Sequence, residues 1–319
     1  MARTSIQYRF TIGKPLNLSK QFFTPLKNEE FPTIALADYY STSDPTNSYI
    51  FTEHQIQFSV NMDNNSKPNS SSITIYNVDE EIKQYIKANK ASNIVCILEA
   101  GDNEQGLKKV FEGTITRSEF VEDSEVNYVK FSLGDGVVSA KNAKTIRTYP
   151  RGTTYEQILK DLNKDMKLPV STFAGISGDR LLNPVTFAGK SHDILSNISK
   201  TLGLDYSIQN NEIVIIPYKR MLKKEVSVIT SSTGLIGKVA LDNNDTSGVS
   251  TSVDKPDKYT IKFTCLLDGS LKPSETVYVK DDEYDSAFKI TSVRFEGDYE
   301  GNTWFCHVIA DKTEGVLDV

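Results

Sequence analysis

The chain is poor in the residues that most often announce chemistry. It has three cysteines, three histidines and one tryptophan among 319 residues. Cys96, Cys265 and Cys306 lie far apart, form no Cys-x-x-Cys pair and are odd in number. A disulfide scaffold is therefore disfavoured, and all three are expected as reduced, buried, small hydrophobes in a chain that folds in a reducing compartment. His54, His192 and His307 stand alone, with no His-x-x-x-His or His-Glu-x-x-His spacing, so a zinc site has no local signature. No run approaches the roughly 18 apolar residues that a membrane helix needs. The opening "MARTSIQYRFTIGKP" lacks the apolar core of a secretory signal. Neither a membrane partner nor a cleaved leader is expected. An excess of basic charge is missing too: 36 basic residues face 42 acidic ones, a formal net charge of −6. Nucleic-acid readers draw affinity from neutralising phosphates, so that class is disfavoured.

Catalytic patterns are also missing. There is no Gly-x-Ser-x-Gly elbow and no Walker loop, and "STGLIGKVA" (Ser232 to Ala240) has the wrong glycine spacing to cradle phosphate. Carboxylates cluster at Glu80/Glu81, Glu122/Asp123 and Asp281/Asp282/Glu283. A glycosidase needs two carboxyls facing each other across a cleft, which adjacency in sequence does not supply, so these are taken as solvated turns. His192 follows a helix start and is expected to be solvated. His307 neighbours Cys306 in a strand, where adjacent side chains point to opposite faces, so the two do not share a ligand role. No catalytic residue, cofactor or metal is expected.

What the chain does have is periodicity. With 38% hydrophobic and 24% charged residues it is globular, and its length suits about two to three domains. Residues 1–143 alternate apolar with polar, as in "IQYRFTI", "HQIQFSVNM", "SSITIYNV", "NIVCILEAG", "KVFEGTITRSEFV" and "NYVKFSLGD". That pattern marks strands with one buried face. One helix interrupts them at "VDEEIKQYIKAN", with Asp79 as cap and Ile82, Tyr85 and Ile86 as its apolar stripe. Residues 144–220 hold two amphipathic helices of one plan. The first is capped by Thr153 or Thr154 and packs Ile158, Leu159 and Leu162. The second is capped by Ser191, packs Ile194, Leu195, Ile198 and Leu202, and ends at Gly203. "LDYSI-QNN-EIVIIP" then reads as strand, tight turn, strand. Residues 221–319 return to strands after a polar loop from Leu241 to Asp257. The expected architecture is β-rich α+β: a β-barrel, a small α/β insert, and a second β-barrel.

One stretch, "FEGDYEGNTWFCHVIA" (Phe295 to Ala310), offers alternating acids that could hold a metal. A calcium loop of the EF-hand kind needs Gly at position six and a carboxylate at position twelve. Counted from Asp298, Gly301 falls too early and the last position is Ile309. The stretch is therefore a hairpin. Asp298, Glu300 and Asn302 are turn residues, Gly297 and Gly301 free the backbone, and Trp304 anchors the returning strand in the second barrel.

With "CLLDGSLKPSETVYV" (Cys265 to Val279) before it, this hairpin resembles the C-terminal part of baseplate hub proteins of contractile-tailed bacteriophages. Leu266, Leu267, Leu271 and Pro273 match the family's Leu-Leu-(Asn/Asp)-x-x-Leu-x-Pro-Gly approach to a strand; Gly297, Asp298, Gly301 and Trp304 match its hairpin turn. "TGLIG" (Thr233 to Gly237), the run from Ile73 to Ile115 and "LGDG" (Leu133 to Gly136) are similar as well. Two departures stand out: Ser274 occupies a position where glycine is usual, and Glu30 to Phe51 looks like an expanded loop. The resemblance implies two tail-tube-like barrels flanking the insert, a homotrimer, and a hub between a hexameric tail tube protein and a trimeric spike protein. It also implies contacts with baseplate wedge proteins and the tape measure protein, and a passage for genomic DNA that is not specifically bound. The location implied is the virion's tail baseplate, assembled in the bacterial host cytoplasm. Three rivals are a tail-associated peptidoglycan hydrolase, a carbohydrate-binding β-protein with clustered aromatics, and the hub of a tail-derived bacteriocin or injection machine.

Overall fold

A computed structural model describes residues 6–13, 48–64, 71–89, 94–122, 126–135, 143–167, 170–176, 178–209, 212–218, 220–222, 226–241, 260–312 and 315–317. Most of the expected loop from Glu30 to Phe51, the polar loop beyond Leu241, the Asn210–Asn211 turn and Gly136 lie outside these residues. Residues 48–51, placed with that loop by sequence, form a strand instead.

The first β-rich segment contains β1 (Ile6–Gly13), β2 (Ser48–Phe51), β3 (Ile56–Asp63), β4 (Ser71–Tyr76), helix α1 (Glu80–Ala88), β5 (Val95–Asp102), β6 (Gly106–Glu122) and β7 (Asn127–Asp135). The middle segment contains β8 (Lys144–Tyr149), α2 (Tyr155–Met166), β9 (Val170–Phe173), β10 (Val185–Lys190), α3 (Ser191–Leu202), β11 (Leu204–Gln209) and β12 (Glu212–Pro217). The last contains β13 (Arg220–Leu222), β14 (Ser227–Thr230), β15 (Leu235–Leu241), β16 (Thr260–Leu266), β17 (Thr276–Lys280), β18 (Asp285–Asp298), β19 (Trp304–Asp311) and β20 (Gly315–Leu317).

Alternation sets the strand faces. Ile56, Phe58, Val60 and Met62 of β3 are buried between half-exposed polar residues, and Trp304, Cys306, Val308 and Ala310 of β19 are buried between half-exposed Phe305, His307, Ile309 and Asp311. Each large apolar side chain buried this way contributes about 2 kcal/mol. The two β-rich segments are not separate sheets. Thirteen strands form one sheet in the order β15-β16-β19-β18-β3-β4-β7-β6-β5-β1-β2, with β17 also on β18 and β14 on β17. The link is β18 on β3, antiparallel from Ser292↔Asp63 to Asp298↔Gln57.

The segments also repeat one wiring. In the first, spatial order is β3-β4-β7-β6-β5-β1; in the last it is β15-β16-β19-β18-β17-β14. Strand for strand the sequence order matches, except that β1 runs antiparallel to β5 while β14 runs parallel to β17. The long strands β6 and β18 carry a bulge at the same place, between Ile115 and Arg117 opposite Leu133 and Ser132, and between Ile290 and Ser292 opposite Ala310 and Ile309. An extra residue there bends the strand, letting one half serve one neighbour and the other half another. Aligned at the bulge, Ile115, Thr116 and Phe120 fall on Ile290, Thr291 and Phe295.

The helices of the middle segment build a second cluster from Ile158, Leu159, Leu162, Ile194, Leu195 and Ile198. Thr154 caps α2, its hydroxyl accepting from the Gln157 amide at 3.2 Å. For α3 the sequence expectation needs correction. Lys190 holds the cap position and Ser191 is already helical, because its buried hydroxyl bonds Thr145 Oγ1 at 2.8 Å and cannot turn back to the helix amides. Gly203 closes α3 in the left-handed conformation, φ 64°. On α1, Asp79 sits at the cap position without a side-chain bond; Ile86 is buried, and Ile82 and Tyr85 pack beside it. The middle segment meets the large sheet through Lys289 of β18, which is 1% exposed; its Nζ donates to Asp205 Oδ2 of β11 and to the Tyr218 carbonyl.

Candidate functional site

Several of the residues singled out by sequence lie near the joint between the two β-rich segments. Leu267 and Leu271 are buried, and so is Pro273, while Leu266 is 45% exposed at the end of β16. The loop they bracket crosses the start of β6. Lys108 Nζ reaches Asp268 Oδ1 at 2.9 Å, and a Cβ on Gly269 would come within 3.0 Å of the Lys108 Cβ. Burial raises the Asp268 carboxyl, but hydrogen bonds from Ser270 and Lys108 outweigh it and leave the pKa below the usual carboxylate value. Ser274, the departure from the family's glycine, has φ 72°. The left-handed backbone there is the physical reason a glycine suits the position. Ser274 is buried; its amide donates to the Ile290 carbonyl at 2.8 Å and its hydroxyl to Asn64 Oδ1 at 3.1 Å.

The hairpin between β18 and β19 fastens the same joint. Trp304, Gly297, Phe58, Ile73, Phe131 and Ser118 form one rung of the sheet, each paired with the next. Paired residues share a face. Gly297 stands between Trp304 and Phe58, and the two rings meet over it edge to face, centroids 5.4 Å apart. A Cβ at Gly297 would lie 2.2 Å from the Phe58 ring, and one at Gly301 would lie 2.5 Å from the Asp298 carboxylate. Neither glycine has a positive φ. The expectation that they free the backbone is therefore corrected: Gly297 is needed for space between two rings, and Gly301 leaves room for the Asp298 carboxylate in its turn. Trp304 does anchor its strand, but against β3 of the first segment rather than within the last segment alone.

Asp298 is the centre of the turn. Its Oδ1 accepts from the Gly301 amide at 2.9 Å and its Oδ2 from Gln57 Nε2 at 3.0 Å; Gln57 Oε1 in turn accepts from the Tyr76 hydroxyl at 3.0 Å. The Tyr299 amide donates to the Ile56 carbonyl at 3.0 Å, and the Tyr299 ring meets Tyr8 edge-on. Among the described residues, no group of three or more His, Cys, Asp or Glu side chains could hold a metal. Phe58, Gln57, Tyr299 and Lys108 are the partners that sequence reasoning missed. Only the position of Ser274 carried a signal in the sequence, as a serine where glycine is usual.

Over β16, β19, β18, β3, β4, β7 and β6 the opposite face of the sheet is largely polar, with Leu266, Phe305 and Ile309 as apolar exceptions. One rung reads Leu266, Phe305, Glu296, Ser59, Ser72, Ser132 and Arg117. Its neighbours carry Thr264, His307, Arg294 and Asn61, and Asp298, Gln57, Thr74, Lys130 and Glu119. Charges of both signs pair on it: Glu296 takes Arg294 on one oxygen and His307 Nε2, at 3.1 Å, on the other. His307 also bonds Thr264 Oγ1 at 3.0 Å. His192, expected to be solvated, lies half-buried against the Tyr206 ring. All three cysteines are buried and none is in a disulfide, and Cys265 and Cys306 stand opposite each other on β16 and β19. Burial and the Cys265 neighbour push the Cys306 thiol well up. No helix among the described residues is long and apolar enough to cross a membrane.

No family model matches the chain, and no curated protein matches it. Solved structures do. A tail protein from Neisseria meningitidis MC58 superposes with TM-score 0.56 at 12% identity, over 82% of this chain and 93% of that one. The 43 kDa tail protein of prophage MuSo2 from Shewanella oneidensis gives 0.55 at 10%, over 82% and 95%. The E. coli c3393 protein, a type VI secretion component with structural similarity to the T4 tail proteins gp27 and gp5, gives 0.54 at 11%, over 81% and 73%. At such identities the likeness is one of fold. The chain shares the fold of these tail and type VI secretion proteins.

Proposed function

We propose that this chain, built on a tail-protein fold, is a non-enzymatic structural part of a tail baseplate: the hub that joins a hexameric tail tube to a trimeric spike. One observation carries the reading. A single chain holds the same strand wiring twice, joined edge to edge in one sheet. Three such chains present six equivalent units toward a six-fold tube while keeping three-fold symmetry toward a spike. On this reading residues 1–143 and 221–319 are the tube-like barrels, 144–220 is the α/β insert, and the residues from Leu266 to Trp304 named above lock the barrels side by side. The polar sheet face lines the passage. It carries charges of both signs, with Arg294 on Glu296 and Lys130 opposite Glu119 across strands, so it offers little net field to grip phosphates. DNA then slides through without specific binding.

The partners are the tube protein, the spike protein, wedge proteins and the tape measure protein. The location is the tail of the virion, reached after assembly in the bacterial host cytoplasm. The similarity to a type VI secretion component favours a second setting for the same part, a tail-derived injection machine with no genome to pass. The neighbours reported are tail and secretion components rather than enzymes, which supports an architectural role over a peptidoglycan hydrolase. Sedimentation and negative-stain microscopy test the reading. Trimers with a six-lobed ring, binding a tube or spike protein on co-expression, are expected. A strictly monomeric protein that binds neither, or a clear lytic band in a zymogram, would overturn it.

A further inference from the structure

Within the middle segment, β8 and β10 form a two-stranded sheet that no third strand joins among the described residues. Tyr149, Val185 and Phe187 turn one face of it onto the helix cluster. The other face is bare. Its rungs are Lys144 with Lys190, Ile146 with Ala188, and Thr148 with Thr186, and all six residues are exposed. Ile146 is 82% exposed; Leu182, in the loop that leads into β10, is 80% exposed. Among the described residues no other large apolar side chain exceeds 50%. Single exposed apolar residues are ordinary on a protein surface. Two on one ribbon are not, because a sheet face that carries apolar side chains gains stability only when another layer covers it.

The charges of the ribbon are one-sided. Lys144 and Lys190 face each other across the strands. Like charges so placed are destabilising, so folding does not account for the pair. The stretches 144–151 and 180–190 contain five basic residues and no acidic one. Among the described residues only Arg147 of these five is in an ion pair, on the inward face with Asp161 and Asp165. Lys144 and Lys190 stand exposed at one end of the ribbon. Arg151 and Arg180 stand exposed at the other, where the Gly152 amide bonds the Leu181 carbonyl at 2.9 Å. Residues 144–220 carry eleven Lys or Arg against seven Asp or Glu; the rest of the chain carries 25 against 35. Net basic charge thus sits on the same unit as the bare face.

From this juxtaposition we infer that the outward face of β8 and β10 docks an acidic segment of a partner protein, extended, with apolar side chains between its carboxylates. Carboxylates toward its two ends meet the two lysines and the two arginines, and apolar side chains between them cover Ile146 and Leu182. Such a segment removes the like-charge cost and the apolar exposure together. A nucleic-acid backbone fits less well, because it would set Ile146 and Leu182 against phosphates. A lipid surface offers nothing to strand edges. The outer edges of β8 and β10, open among the described residues, give an extended chain backbone partners. The site does not depend on the hub reading, since it lies outside the sheet that joins the β-rich halves.

Peptide selection on the full chain tests it. A display library of random peptides should yield binders in which Asp and Glu alternate with apolar residues. Ile146→Ser should weaken a recovered peptide at least tenfold and leave the melting temperature unchanged. Lys200→Glu, a charge reversal at an exposed position of α3, should leave binding unchanged. Lys144→Glu separates docking from folding. It sets opposite charges face to face, so the melting temperature should hold or rise while binding falls at least tenfold. A structural role alone would not move the two in opposite directions. A selection that returns nothing, peptides with no excess of acid, or acidic peptides indifferent to Ile146→Ser and Lys144→Glu overturn the site. Phosphatidylglycerol vesicles or duplex DNA that bind the parent and not these variants also overturn it, and give the face to lipid or nucleic acid.

Discussion

At the scale of the residue, glycine and serine positions carry the sharpest consequences. A Cβ at Gly297 runs into the Phe58 and Trp304 rings, neither of which can leave without unpacking the joint. Gly297→Ala is expected to destabilise by about 3 kcal/mol in urea titrations. At Gly301 the clash is with the Asp298 carboxylate, which can rotate away at the loss of a turn hydrogen bond, so Gly301→Ala should cost about 1 kcal/mol. Equal effects at the two sites would contradict the spatial account. Ser274 gives a second comparison. Glycine there relieves a left-handed backbone worth about 1 kcal/mol but removes the hydroxyl bond to Asn64, of similar size. Ser274→Gly should therefore stay within about 1 kcal/mol of the parent, while Ser274→Val, β-branched and buried, should lose more than about 2 kcal/mol. The letters Gly-Asp-x-x-Gly-x-x-Trp were visible in the sequence, but their reasons were not. Phe58 and Gln57, which give Gly297 and Asp298 their meaning, lie in the other half of the chain.

At the scale of the element, the strands and the three helices were legible because burial on one face imposes a period of two or about 3.6 on the sequence. Thr154 and Gly203 even marked helix ends correctly. Ser191 did not, since its hydroxyl is claimed by Thr145, a contact across elements that no local pattern encodes. The division of β18 between β17 and β3 was equally hidden, because strand length shows in sequence and pairing partners do not. The loop before β17 supplies an element-scale prediction. The folded-state pKa of Asp268 lies below its ordinary value, so its bonds from Ser270 and Lys108 contribute stability that is present above the unfolded pKa and lost as pH falls through the folded one. Asp268→Asn should lower stability by about 1–2 kcal/mol near neutral pH. The gap to the parent should close below about pH 4, the ordinary carboxylate range. A gap that persists in acid would mean that the side chain acts through packing instead of charge. On the far side of β18, Lys289→Met leaves Asp205 without its partner and should cost about 3–5 kcal/mol; Asp205→Leu added to it should recover much of that loss.

At the scale of the whole molecule, periodicity showed strands before and after a stretch with two helices, whereas the fusion of those flanking strands into one sheet was not readable from it. That fusion makes the β-rich halves cooperative. Phe58→Asp at the joint should strip amide protection from β7 and β19 together in hydrogen exchange, while α2 and α3, packed in their own cluster, keep theirs. Loss confined to one half would show the sheet to be two independent units. The chain's one tryptophan bears on this in a different way. Trp304 lies across the seam, its ring on Phe58 and its indole N–H without a partner among the described residues. Its emission colour depends on how dry that seam is, and no second indole competes with it. The protein thus carries a built-in optical gauge: a red shift records the halves parting, in an unmodified chain and in real time.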